Sequence, residues 1–106
     1  MTEKQFIFRD SDETHIIKYC GTDEAVIIPE GVTIIGKAAF ASCYNLREVT
    51  FPSTLKDIEN LAFFNCINLE KTSPLTYYIA NDAFLGCPKL KKENFVLKEM
   101  TIEQIE

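Results

Sequence analysis

The chain has 106 residues, 46% of them hydrophobic and 25% charged, with 11 basic against 16 acidic side chains for a net charge of −5. This balance fits one folded domain and excludes a disordered chain, which would be poorer in apolar residues, and a nucleic-acid binder, which needs a net basic face. No apolar run approaches the roughly 18 residues of a membrane-spanning helix, and Met1-Thr2-Glu3-Lys4-Gln5 lacks the basic-then-apolar profile of a secretion signal. The expected location is therefore the cytoplasm, or the cell surface or exterior if a signal has been removed.

In chain order, Phe6-Ile7-Phe8 reads as a strand, Asp10-Ser11-Asp12-Glu13 as a polar turn, and His15-Ile16-Ile17-Lys18-Tyr19 as a second strand. This hairpin, within residues 1–25, is expected to cap whatever follows. Next comes an internal repeat. Val26-Ile27-Ile28-Pro29 recurs as Val49-Thr50-Phe51-Pro52, an offset of 23 residues. Ile35-Gly36-Lys37-Ala38-Ala39-Phe40 recurs as Ile58-Glu59-Asn60-Leu61-Ala62-Phe63, and Cys43-Tyr44-Asn45-Leu46 as Cys66-Ile67-Asn68-Leu69. A third copy holds Ile79-Ala80-Asn81-Asp82-Ala83-Phe84 and Cys87-Pro88-Lys89-Leu90, at an offset of 21 from the second.

A unit of this length cannot close a core alone, whereas stacked units share one. Val49-Thr50-Phe51 alternates in the manner of a short strand with one face inward, and Pro52 ends its ladder. The Ala-containing stretch 59–65 predicts a short helical turn on the opposite side. Phe40, Phe63 and Phe84 are expected to stack as one column, and Leu46, Leu69 and Leu90 as another. Beyond the three repeats (26–92), residues 93–106 read as a last strand, Phe95-Val96-Leu97, and a mixed tail. No linker divides the chain, so 1–106 is expected to be a single domain.

The pattern Ile-Pro…Ile-Gly…Ala-Phe…Cys…Leu resembles the BspA-like leucine-rich repeat, a bacterial branch with repeats of this length. The resemblance covers residues 26–90, and the segment from Tyr19 to Pro29 is similar to the lead-in of its first repeat. It implies an α/β solenoid: a right-handed coil with parallel strands on the concave side and short helical turns opposite. It further implies a role in binding proteins or surfaces. The third copy departs from the pattern, with Thr72-Ser73-Pro74 in place of the apolar strand and a shortened link through Tyr77-Tyr78.

Cys20, Cys43, Cys66 and Cys87 contain no Cys-x-x-Cys pair of the kind that starts a zinc knuckle. The repeat itself accounts for the last three as inward, reduced packing residues, and Cys20 stands outside it as the more accessible thiol. His15 is the only histidine, and strand alternation places it on the opposite face from Cys20. Asp10, Asp12 and Glu13 lack the order of a calcium loop and read as a solvated turn. Gly21, Gly31, Gly36 and Gly86 are isolated, so no phosphate-cradling loop is present. No catalytic, cofactor or metal residues are expected.

Two functions remain open. One is a non-catalytic protein-binding or adhesion-type module, with a protein or glycan partner, using the concave strand face. The other is a structural scaffold or capping fragment of a larger repeat assembly, self-associating through exposed repeat ends. In register, the outward strip reads Ile27, Thr50 and Ser73, flanked by Ala25, Glu48 and Lys71. The candidate contact residues are Ile27, Thr50, Ser73, Tyr77 and Tyr78. For Ile27, burial beneath the hairpin is the favoured expectation, with exposure as a contact centre the alternative.

Overall fold

The computed structural model describes residues 5–74 and 78–90. The strands in chain order are β1 (Phe6–Phe8), β2 (His15–Tyr19), β3 (Ala25–Ile27), β4 (Ile34–Ile35), β5 (Glu48–Thr50), β6 (Asp57–Ile58), β7 (Lys71–Thr72) and β8 (Tyr78–Ile79). Each repeat supplies two strands, and the strands sort into two sheets. One holds β3-β5-β7, all parallel; the other holds β1-β2-β4-β6-β8, parallel except for the β1–β2 hairpin.

The second sheet is built on isoleucine. Ile16, Ile35, Ile58 and Ile79 are in register across β2, β4, β6 and β8, and the first three are completely buried. β-Branched side chains suit this pleated, half-buried surface. The hairpin joins here, with β2 pairing parallel to β4. Gly36 permits the junction, because a Cβ there would fall 2.7 Å from the Ile16 carbonyl oxygen and 2.9 Å from His15 Nε2. The hairpin therefore extends one sheet edge. It does not fold over Ile27, which is 71% exposed, and that corrects the expected burial.

Among the described residues there is no α-helix, and the stretch 59–65 is a run of turns. The reason lies in where its N–H groups go. Ala62, Phe64 and Cys66 donate to the carbonyls three residues back, on Glu59, Leu61 and Phe63. The alternate amides point sideways to the next coil: Phe63 N–H to Ala83 O at 2.7 Å and Asn65 N–H to Leu85 O at 2.9 Å. One coil earlier, Ala38, Phe40 and Ser42 donate in the same way to Asn60, Ala62 and Phe64. A helix would turn all these donors along its own axis. Left-handed residues at Ala38, Ser42, Leu61 and Asn65 (φ 57–61°) aim the chain instead, a conformation that costs roughly 1–2 kcal/mol per residue outside glycine. The lateral bonds offset that cost.

Inside, the aromatic column forms as the repeat predicts. Phe40 and Phe63 stack with centroids 4.7 Å apart, and Phe63 and Phe84 at 5.0 Å. Tyr19 continues the column from the hairpin, 4.9 Å from Phe40. Its N–H donates to Ala39 O, as Phe40 N–H does to Ala62 O. Residues 14–23 thus act as a partial coil, although β2 also belongs to the hairpin. Leu46 and Leu69 are fully buried, and Leu90 packs partly buried against the same core. The proposed strand at 95–97 and the tail lie outside the described residues.

Candidate functional site

The three-stranded sheet carries the strip that the repeat register predicts. Ala25, Glu48 and Lys71 are in line, as are Val26, Val49 and Thr72, and Ile27 pairs with Thr50. Val26 and Val49 point inward and are buried, while Ala25, Ile27, Glu48, Thr50 and Lys71 are exposed. Adjacent parallel strands lie about 4.8 Å apart, so these side chains form one continuous surface. Its make-up is one large aliphatic side chain, one hydroxyl, and an acid beside a base.

Two loops brace that strip. Glu30 accepts the Ser53 N–H at 3.0 Å and the Ser53 hydroxyl at 2.8 Å. These bonds, the backbone one first, hold the Glu30 carboxyl below its ordinary range. Next to them, Thr54 Oγ1 donates to Val32 O at 2.7 Å and accepts the Gly31 N–H at 2.9 Å. On the other flank Arg47 reaches Glu70 at 2.9 Å.

Ser73 does not continue the strip as a free side chain. It is half-buried, and its Oγ accepts the Phe51 N–H at 2.8 Å. One coil earlier the equivalent donor, Ile28 N–H, is taken by the Thr50 main-chain carbonyl. The Ser73 hydroxyl thus substitutes for a carbonyl where the third coil departs from the pattern. Tyr78 opens β8 and pairs with Asp57 in the five-stranded sheet, so its backbone belongs to the other sheet. Tyr77 and the Tyr78 ring lie outside the described residues. Of the five candidate residues, the structure brings Ile27 and Thr50 together as exposed neighbours.

The thiols are graded. Cys66 is buried, Cys43 and Cys87 are half-buried, and Cys20 is exposed, as its place outside the repeat predicts. Cys66 Sγ donates to Phe40 O at 3.0 Å and Cys87 Sγ to Phe63 O at 3.1 Å. Hydrogen bonding to Cys43 and Cys87, then burial, pushes the Cys66 thiol far above its usual value. His15 lies 3.9 Å from Glu59 and against Gly36, on the five-stranded sheet. Asp10 caps its own turn, accepting the Asp12 N–H at 3.1 Å. Among the described residues no group of three or more His, Cys, Asp or Glu side chains is placed to hold a metal ion.

Repetition misled the sequence reading in one respect. The partial coil at 14–23 stands 19 residues from its partner at His15–Ile34, and it carries Tyr where later coils carry Phe. The isoleucine row was its only sequence signal.

Comparison with curated proteins gives no match. Among solved structures, the chain is similar to the crystal structure of a T. pallidum leucine-rich repeat protein, with 27% identity and a TM-score of 0.71. The similarity covers 85% of this chain and 47% of that one, so this chain spans about half the length of the structure it matches. The family model described as a BspA-type leucine-rich repeat region, of six copies, matches residues 13–106, beginning just before the partial coil. With the coils, their two parallel sheets and this match in agreement, the chain belongs to the BspA-type leucine-rich repeat family.

Proposed function

We propose that this repeat module is a non-catalytic protein-docking surface, with the exposed face of β3, β5 and β7 as its concave contact side. The observation that carries the reading is Ile27. A large aliphatic side chain stands 71% exposed on a sheet, in register with Thr50 and beside Glu48 and Lys71. An apolar centre with a charged rim is the usual composition of a contact patch. The sheet beneath is held by the Glu30–Ser53 and Arg47–Glu70 bonds, so a partner would meet a preformed surface. Nothing in the geometry supports a hydrolytic or transfer reaction there, since His15 sits on the other sheet and faces Glu59.

Photocrosslinking tests this reading. A photoreactive residue is placed at position 27 and, as a control, at exposed Lys56, before β6. In a lysate of the source cells, position 27 should give a discrete protein adduct that position 56 does not, and Thr50→Arg should abolish it. Identical adducts from both positions would remove this face from consideration.

A further inference from the structure

The thiol row contains one member unlike the others. Cys66 and Cys87 each give their S–H to the carbonyl of a phenylalanine in the preceding coil. Cys43 is the first of the row, and its preceding coil is the hairpin. Among the described residues, its Sγ has no such carbonyl acceptor. The cap that closes the aromatic column therefore leaves the thiol column unfinished.

What replaces the carbonyl is an open, partly polar depression of about 340 Å³. Lys18, Tyr19, Cys20, Asp23, Cys43 and Tyr44 contribute to its lining. Three features of this depression favour a nucleophilic sulfur. Cys66 is close enough to hydrogen-bond Cys43, so its S–H can swing from the Phe40 carbonyl to a Cys43 thiolate. The exposed Lys18 ammonium supplies positive charge nearby. The Tyr19 hydroxyl is engaged by the Asp23 N–H at 3.3 Å, which holds the wall of the depression in place. The hydrogen bond from Cys66 and then Lys18 together lower the Cys43 thiol from its ordinary value, against the opposing effect of burial.

We propose that Cys43 is a covalent modification site that takes up a small thiol-bearing group by exchange with a low-molecular-weight disulfide. The Cys43 thiolate attacks one sulfur of the small disulfide, forming a protein–small-molecule S–S bond and breaking the original one. The departing thiolate takes a proton from water, matching the proton that Cys43 gave up, so that one thiol is oxidised and half of the small disulfide is reduced. The depression has room for the attached group, and Lys18 is placed to meet an anionic one. Cys66 is sealed in the core, and Cys87 keeps its S–H on Phe63 O without a lysine to favour its thiolate.

The test uses the reduced full chain carrying Cys20→Ser, which removes the exposed competing thiol. Glutathione disulfide is added near neutral pH, the reaction is quenched over time, and peptides are identified by mass spectrometry. Cys43 should acquire the adduct at least about tenfold faster than Cys87, which is similarly half-buried, and faster than Cys66. Lys18→Gln should slow Cys43 about threefold or more and leave Cys87 unchanged, with the melting temperature of the variant recorded alongside. Equal rates at Cys43 and Cys87 would overturn the proposal. So would a Lys18→Gln variant that leaves Cys43 unaffected, or one that changes both thiols alike.

Discussion

The two sheets have the same parallel stacking and different ends. In the five-stranded sheet the inward row is isoleucine in each strand from β2 to β8, and the hairpin lies along its amino-terminal edge. In the three-stranded sheet the inward row runs Val26, Val49 and then Thr72, whose Oγ1 is buried with no partner among the described residues. No hairpin strand pairs with β3. The hairpin thus secures one side of the coil and leaves the other side open. The exposed Ile27 is on the open side, so stability and surface chemistry are divided between the sheets.

That division can be broken most forcefully from the interior both sheets share. Phe63 stacks on Phe40 and Phe84 and meets Phe51 edge-on at a centroid distance of 6.1 Å. Phe63→Ala should cost about 3–5 kcal/mol in denaturant unfolding, whereas Thr50→Ala on the open face should stay within about 0.5 kcal/mol. Similar losses in both variants would contradict the register. Thr72→Val sharpens the comparison from the other direction. It removes a buried hydroxyl with no partner among the described residues and completes the valine row, so it should stabilise the fold by about 1 kcal/mol. Chemical denaturation of the two proteins side by side measures this, and a loss of stability would mean that the hydroxyl is satisfied.

The smallest effect concerns pH. The exposed Glu30 carboxyl is held below its ordinary value of 4.5 by the Ser53 N–H and hydroxyl. A depressed carboxyl contributes stability above its unfolded pKa and loses it as pH falls through the folded one. Wild type should therefore lose more stability than Glu30→Gln as pH drops below about 4.5, with little difference in slope at neutral pH. Parallel acid titrations of the melting temperature check the sign.

Much of this architecture could be read from spacing. The offset of 23 between Phe40 and Phe63 and of 21 between Phe63 and Phe84 was enough to predict the stacked column, because equivalent positions in a stacked repeat must meet. The second sheet was not read, since Ile34–Ile35 and Asp57–Ile58 are two residues each and alternation cannot be recognised in two residues. The turns were taken as helical because composition does not reveal whether an N–H points along the chain or across to its neighbour. At the candidate site, Ile27 and Thr50 followed from register. The role of Ser73 did not, because its hydroxyl replaces a backbone acceptor only where the third coil changes course.

The sideways bonds of the turns have a consequence for how such a chain can change in length. Bonds such as Gly31 N–H to Thr54, Ser53 to Glu30 and Arg47 to Glu70 span 23 residues, one complete coil. A duplicated or deleted segment of that length would keep each donor facing an equivalent acceptor and would add or remove one rung from every ladder. The third coil, shorter by two residues, still gives Phe63 N–H to Ala83 O and Ala80 N–H to Ile58 O. Its missing residues fall between Thr72 and Ile79, away from those rungs. Genetic slippage by whole coils, or trimming within that link, is therefore the kind of edit this backbone accepts, and a one-residue insertion between rungs is the kind it resists.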